Sequence, residues 1–139
     1  MGPREESMTT NDAAARAVLA VEAQFYDVLR RLHRDPAALP ALLALWSQRD
    51  DVSTMNARGG VERGWGAVRD RWTWWAGQGI PMEAEPVESL DCIAGSDLAC
   101  TVALEHHSDR TLRITHVYRR EEGAWRLVHR HADPLAERR

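Results

Sequence analysis

The sequence predicts a single α+β domain in which N-terminal helices pack on an antiparallel sheet. Apolar residues recur at helical spacing up to about residue 77. From Met82 onward they alternate with a period of two, as in strands that bury one face. Only short turns such as "AGSD" and "EEG" separate these strands, which favours hairpins. Together these observations predict helices on one face of an antiparallel meander.

Composition limits the possible classes of protein. A chain of 139 residues is long enough for one domain with its own apolar core. Its net charge of -3 lacks the basic excess of nucleic-acid-binding proteins. No apolar run could span a membrane, no signal peptide is recognisable, and the two cysteines form no CxxC motif. We therefore expect a cytoplasmic protein with no nucleic-acid or membrane partner.

Three helices are predicted in the first half of the chain. Residues 1–11 are polar and without periodicity, so we expect a disordered leader. A first amphipathic helix is predicted over 12–33, and Asp35-Pro36 begins a second helix that extends to Trp46. The third, about 62–77, carries a stripe of apolar residues on one face: Trp65, Val68, Trp72 and Trp75. Such a stripe is typical of a helix that packs on the core. The second interpretation is that these residues line a ligand pocket.

Five strands complete the predicted domain, which spans residues 12–133 and is followed by a tail at 134–139. A β-branched segment at 51–57 ends at Gly59-Gly60 and predicts a short strand. The other four are expected at 82–93, 98–107, 111–120 and 124–132. The predicted order is α-α-β-α-β-β-β-β.

The last strand contains the most suggestive motif, "GAWRLVHRHAD". Alternation divides the strand into two faces, and one of them contains its large apolar residues and no arginine. We expect this face to be interior, and its residues are Trp125, Leu127, His129, His131 and Asp133. Imidazole titrates near neutral pH, so His131, oriented by Asp133 or His129, is a candidate acid/base group. The other open interpretation is a hydrogen-bonded histidine of the core.

A metal site is the third interpretation of the two histidines. A His-x-His pair presents two imidazoles on one side of a strand, but a site needs at least one further ligand. Only His116 or the pair His106-His107 could supply it. The chain ends before a second histidine motif could follow, so we expect no metal and no cofactor.

Three motifs, "ALLALWSQRDDVSTM", "GGVERGWGAVRDRW" and "RITHVYRREEGAWRLVHRHAD", occur in an order that resembles a known family. They are similar to the SnoaL-like branch of the nuclear transport factor two-like superfamily, which includes ketosteroid isomerase and limonene epoxide hydrolase. The resemblance covers residues 12–133 and implies a cone-shaped α+β barrel, with three helices on a curved antiparallel sheet around a deep apolar pocket. Isomerases, hydrolases, cyclases and non-catalytic binding proteins share that fold, so the resemblance does not select one activity.

The resemblance transfers the family's catalytic residues only in part. The base aspartate of ketosteroid isomerases is matched by Asn56, and their oxyanion-binding aspartate by Thr115. An amide cannot remove a proton from carbon, so the isomerase mechanism is not supported. The family's helix-1 tyrosine is matched by Tyr26 or its neighbour Asp27. Arg113 and Asp133 are the nearest candidates for the epoxide hydrolase residues.

The resemblance and strand alternation together imply the residues that line the pocket: Trp46, Met55, Asn56, Trp72, Trp75, Cys100, Val102, Leu104, Arg113 and Thr115. For the fourth strand the two disagree. Hydrophobicity buries Leu112, Ile114, His116 and Tyr118, whereas the family alignment turns Thr115 and Val117 into the cone. Both hold if a second subunit covers the outer face, so we expect a homodimer with Ile114 and Tyr118 in its interface.

These inferences favour a cofactor-free acid/base enzyme, a cyclase, isomerase or hydrolase. Its substrate would be a hydrophobic small molecule of polycyclic or polyketide type. His131 would transfer the proton, with Asp133, His129 and Tyr26 as partners. Two alternatives remain open: a non-catalytic binding or sequestration protein for such a molecule, and an accessory subunit of a biosynthetic enzyme.

Overall fold

The computed structural model describes residues 3–82 and 84–138, with side chains from residue 11 onward. Residues 1–2, 83 and 139 lie outside the described residues. They belong to the predicted leader, the strand predicted at 82–93 and the predicted tail. Within the described part of the chain there are three α-helices: α1 (Pro3–Arg31), α2 (Leu39–Leu43) and α3 (Trp65–Gln78). There are six strands: β1 (Ser53–Met55), β2 (Val61–Arg63), β3 (Val87–Ala94), β4 (Leu98–His106), β5 (Thr111–Glu121) and β6 (Ala124–Pro134).

The strands form one curved, open sheet in the order β2-β1-β6-β5-β4-β3. Strands β3 to β6 are the predicted antiparallel meander, and the α+β cone is confirmed. Strand β1 pairs in parallel with β6, so the sheet is mixed rather than purely antiparallel. Strand β2 is an addition at the position where a helix start was predicted. Helix α3 begins only after Gly64, whose φ of 88° favours glycine and redirects the chain.

The core lies between the helices and the concave face of the sheet. Helix α1 buries the apolar face that its periodicity predicts, with Phe25 and Leu29 fully enclosed. The helix begins at Pro3, within the segment for which the sequence predicts a disordered leader. Trp46 and Trp72 pack against each other in the same core, with ring centroids 6.4 Å apart. No described helix is long and apolar enough to cross a membrane.

A β-bulge in β6 reverses the predicted orientation of the histidine motif. Tyr118 of β5 pairs with Leu127, but Val117 pairs with His129, so Val128 is an extra residue in β6. Alternation therefore changes phase at Val128. Trp125 and Leu127 face the core before the bulge, whereas Arg130 and Ala132 face it afterwards. The prediction that His129, His131 and Asp133 share the interior face with Trp125 was wrong because a bulge inverts every later side chain.

The orientations of β4 and β5 also correct the sequence interpretation. On β5, Ile114 and Tyr118 are 2% and 0% exposed within a single chain, so they cannot form the predicted dimer interface. The side chains of Arg113, Thr115 and Val117 lie on the outer face instead. On β4 the buried set is Ala99, Thr101, Ala103 and Glu105, which leaves the predicted pocket residues on the outer face: Cys100, Val102 and Leu104. Hydrophobicity predicted the buried face of β5 correctly, and the orientation that the family resemblance implied for Thr115 and Val117 was wrong.

Candidate ligand cavity

A cavity of about 330 Å³, here called the cone cavity, lies between α3 and the concave face of the sheet. One wall consists of Trp72 and Trp75 from α3, together with Met82. Leu112 and Ala132 of the sheet form the opposite apolar surface. Helix α3 presents both indoles to the cavity because residues three apart lie on the same side of a helix. The cavity therefore has two flat aromatic surfaces facing an aliphatic one.

Three of the predicted pocket residues line the cone cavity: Asn56, Trp72 and Trp75. Trp46 is fully buried behind Trp72 rather than in the cavity wall. Met55 is exposed at the end of β1 and pairs with His131. The remaining predicted pocket residues of β4 and β5 lie on the outer face, as described above.

The predicted catalytic histidines form a polar cluster on the outer face, away from the cone cavity. Asp133 accepts two hydrogen bonds from Arg113, both of 2.9 Å. His129 Nδ1 lies 2.8 Å from Ser53 Oγ, and His131 Nε2 lies 4.0 Å from Asp133. Partial burial and the neighbouring His131 lower the pKa of His129. These groups cannot reach a molecule in the cone cavity, because the sheet itself separates them from it.

A buried carboxylate on α1 organises the first part of a polar network under the sheet. Glu22 accepts hydrogen bonds from Thr101 Oγ1 at 2.5 Å, from His116 Nδ1 at 2.7 Å and from Tyr118 OH at 3.0 Å. Burial alone would raise the pKa of Glu22, but these donors and His116 in particular hold it below its usual value. Glu22 is therefore ionised in the core.

A second buried carboxylate, Glu105 at the end of β4, is linked to the first. Glu105 accepts from Tyr26 OH at 2.6 Å and from Arg130 Nη1 and Nη2 at 2.8 and 3.3 Å. His107 Nε2 lies 3.1 Å from its other side. Burial would raise the pKa of Glu105, but the Arg130 charge and the hydrogen bonds from His107 and Arg130 hold it far below its usual range. Tyr26, predicted as a catalytic partner, is thus a buried donor whose pKa is raised by its burial.

The shared contacts fix the protonation of His116. Arg130 Nη1 lies 2.9 Å from His116 Nε2, and a guanidinium can only donate. His116 Nε2 must therefore accept, so the imidazole is neutral with its proton on Nδ1, where it donates to Glu22. Complete burial, and the nearby Arg130 charge, lower the pKa of His116 accordingly. The network thus runs from Glu22 through His116 and Arg130 to Glu105.

Two cavity-lining residues contribute buried polar atoms that have no hydrogen-bond partner among the described residues. They are Trp72 Nε1 and Arg130 Nε, and both are donors. Glu105 occupies the Nη1/Nη2 end of the Arg130 guanidinium and leaves its Nε edge unpaired. A buried donor without an acceptor costs about 1–3 kcal/mol. Both atoms are enclosed by protein rather than exposed to the cavity, so a bound molecule cannot reach them.

The charge around the cone cavity is positive, although the chain has a net charge of -3. The described lining residues include four arginines, namely Arg58, Arg71, Arg110 and Arg130, against one acidic residue, Asp109. Two of these arginines are held by indoles near the cavity. Arg71 lies 4.4 Å from the ring centroid of Trp74, and Arg58 lies 5.7 Å from that of Trp75.

The groups that sequence reasoning missed are Glu22, Glu105, His107 and Arg130. A signal was present for two of them, because Glu22 and Glu105 each interrupt an otherwise small or apolar stripe on a different element. Buried charges are tolerated when they pair with other groups. These two interruptions therefore indicated buried carboxylates in need of partners, whereas the bulge conceals Arg130 from strict alternation.

Comparison with known proteins places this geometry among related folds. The model of the SnoaL-like domain matches residues 18–137, which confirms the resemblance carried by the sequence motifs. A candidate calcium/calmodulin-dependent protein kinase type II association domain from Thiobacillus denitrificans is 24% identical, over 84% of this chain and 94% of that chain, with a TM-score of 0.71. A candidate dehydratase of the NTF2-like family from Streptomyces avermitilis is 19% identical, over 91% and 99%, with a TM-score of 0.71.

A ketosteroid isomerase-like protein from Erwinia carotovora atroseptica is 14% identical, over 88% of this chain and 96% of that chain, with a TM-score of 0.66. At these identities the likeness shows the fold alone. A search of curated proteins finds no match to this chain.

Proposed function

Because the chain belongs to the SnoaL-like domain family, we propose that its cone cavity binds a small molecule with a flat apolar body and an anionic oxygen-bearing group. The observation that carries this proposal is the set of arginines that line the cavity against one acidic residue among the described lining residues: Arg58, Arg71 and Arg110, against Asp109. A carboxylate has two acceptor oxygens and no donor, so it complements the N–H groups of a guanidinium. The excess of positive charge around the cavity favours an anion in the same way.

The apolar part of the ligand follows from the remaining walls. Trp72 and Trp75 offer flat faces for an aromatic ring, and Met82 and Leu112 complete the apolar surface. Ligand pockets commonly measure about 300–1,000 Å³, so a cavity of about 330 Å³ is at the small end. One- or two-ring aromatic acids suit this space better than large polycyclic polyketides, although small members of that class satisfy the same chemistry.

The test compares a carboxylate with its neutral analogue. Wild-type protein is titrated with 4-bromophenylacetate and with 4-bromophenylacetamide, and binding is followed by thermal shift and native mass spectrometry. We expect only the carboxylate to bind at millimolar concentration or below. Arg58→Met and Arg110→Met each remove a guanidinium from the cavity wall but keep an apolar stem, and loss of one hydrogen bond to a charged group weakens binding by about 10-fold or more.

Arg113→Met is the matched control, since it removes an arginine from the outer face and should leave binding unchanged. Equal binding of the amide and the carboxylate would contradict the anionic class. Unchanged affinity in both Arg58→Met and Arg110→Met would contradict the assignment of the donors.

We also propose that the outer face of the sheet binds a second copy of the chain. Ile93 on β3 is largely exposed and pairs with Cys100, and Val102 and Val117 continue this apolar strip across β4 and β5. Exposed apolar strips of this kind mark interaction surfaces. The interface is thus assigned to the outer-face residues rather than to Ile114 and Tyr118.

A further inference from the structure

We propose that His107, oriented by Glu105, is a general base that moves a proton between carbon and oxygen of an aryl 2-oxo acid in the cone cavity. This inference rests on the proposed function, because it takes the bound aryl carboxylate as its substrate. It assigns chemistry to a histidine outside the motif that the sequence singled out.

The position of His107 is fixed by the turn between β4 and β5. His107 directly follows β4, and its backbone N–H donates to the carbonyl of Arg110 at 2.8 Å, which closes the turn. Its side chain is 13% exposed and lines the cone cavity. His107 therefore stands beside the cavity on a short, hydrogen-bonded turn rather than on a free loop.

The hydrogen bond to Glu105 determines which nitrogen can act. Glu105 is an ionised acceptor that already receives Tyr26 and Arg130, so His107 Nε2 carries the proton of the 3.1 Å contact. Nδ1 is then the lone-pair nitrogen of the neutral ring. Within the described residues Nδ1 has no hydrogen-bond partner, and it is not among the buried unpaired atoms, so it is accessible. A buried carboxylate behind an imidazole fixes its tautomer and stabilises the imidazolium that forms on proton uptake.

The arginines of the cavity supply the second requirement of carbon-acid chemistry. Removal of a proton next to a ketone places negative charge on the ketone oxygen, and donors aimed at that oxygen lower the barrier. Arg58, Arg71 and Arg110 line the cavity together with His107, and guanidinium N–H groups can only donate. Arginine and indole groups in one cavity thus match the carboxylate, the carbonyl and the aryl ring of an aryl 2-oxo acid.

The step balances without a cofactor. His107 Nδ1 takes the proton from C3 of the keto acid, and the C3–H electron pair becomes the C2=C3 double bond. The carbonyl π pair moves onto the oxygen. The imidazolium then returns its proton to that oxygen, which gives the enol, or to C3, which regenerates the ketone. No atom is oxidised or reduced.

The experiment uses phenylpyruvate in D2O, with deuterium incorporation at C3 followed by proton NMR and binding followed by native mass spectrometry. General acid/base groups contribute about 10²–10⁴-fold, so His107→Gln should slow catalysed exchange at least 100-fold while retaining binding. His106→Gln is the matched control. His106 is the adjacent histidine, it bonds Glu88 and Thr111 instead, and it does not line the cavity. Its exchange rate should stay within about twofold of wild type.

Glu105 acts through His107, so Glu105→Gln should lower kcat for exchange and leave KM nearly unchanged. Binding of phenylpyruvate without exchange above the buffer rate would overturn the base assignment and leave the proposed binding function standing. Equal exchange by His107→Gln and wild type would overturn it as well. Failure of wild-type protein to bind phenylpyruvate or any other aryl carboxylate would overturn both proposals.

Discussion

Replacing Arg130 with methionine should destabilise the fold far more than the same change at Arg113. Both arginines belong to the meander, and both contact a carboxylate through two nitrogens. They differ in burial. Arg130 and Glu105 have side chains 3% and 0% exposed, whereas Arg113 and Asp133 are 57% and 39% exposed. Comparison of the two variants therefore isolates the effect of burial on one type of ion pair.

The expected loss of unfolding free energy for each variant follows from the groups that remain without a partner. Arg130→Met leaves the ionised Glu105 buried with only Tyr26 and His107 as donors, and removes the donor to His116 Nε2. Removing one partner of a buried pair costs about 3–5 kcal/mol. Methionine keeps most of the apolar stem, so packing changes little. Arg113→Met removes an exposed pair, which contributes about 0–1 kcal/mol.

Urea unfolding followed by tryptophan fluorescence measures both free energies, since Trp72 and Trp46 lie in the core. The double variant Arg130→Met/Glu105→Gln should lose less stability than the sum of the two single variants, because Gln is neutral and leaves no unpaired charge buried in the core. Equal losses for Arg130→Met and Arg113→Met would refute the reasoning. A larger loss for Arg113→Met would contradict the burial assigned to the two ion pairs.

Two further predictions concern pH and assembly. The free energy of unfolding should fall as the pH drops below about 6.5, because burial lowers the pKa of His116 and the unfolded chain therefore binds the extra proton. The lowered pKa of Glu22 adds to this loss of stability below about pH 4.5. Urea unfolding at pH 7.5, 6.0 and 5.0 measures the effect, and a constant free energy of unfolding would contradict the account. Val117→Asp places a charge in the apolar strip of the outer face, so light scattering should show a dimer for wild type and a monomer for the variant. A monomeric wild-type protein at micromolar concentration would contradict the proposed dimer.

The order of elements could be read from periodicity, because helices and half-buried strands impose different spacings on apolar residues. Phe25 and Leu29 illustrate this, since helical spacing placed both on the buried face of α1. Ile114 and Tyr118 show the same for β5, where hydrophobicity alone indicated the buried face. The cone-shaped α+β fold, which periodicity and the family motifs predicted, is confirmed.

The cavity residues could not be derived in the same way, because one extra residue in a strand changes every later orientation. The bulge at Val128 depends on how β6 pairs with β5, and nothing within β6 marks it. Strict alternation therefore placed His131 in the cavity and Arg130 outside, which is the reverse of the structure. The burial of Arg130 also depends on Glu105, which lies 25 residues earlier in the chain. Such pairings are long-range, so local spacing does not reveal them.

The central claim is that the cone cavity holds an anion beside its lining arginines and an aromatic ring beside Trp72 and Trp75. A crystal structure of the complex with 4-bromophenylacetate tests it most directly, because anomalous scattering locates the bromine independently of the ligand model. The account predicts a bromine peak between the indoles and the facing sheet, with the carboxylate bonded to a lining arginine: Arg58, Arg71 or Arg110. A bromine peak on the outer face of the sheet, or a carboxylate bound away from these arginines, would contradict it.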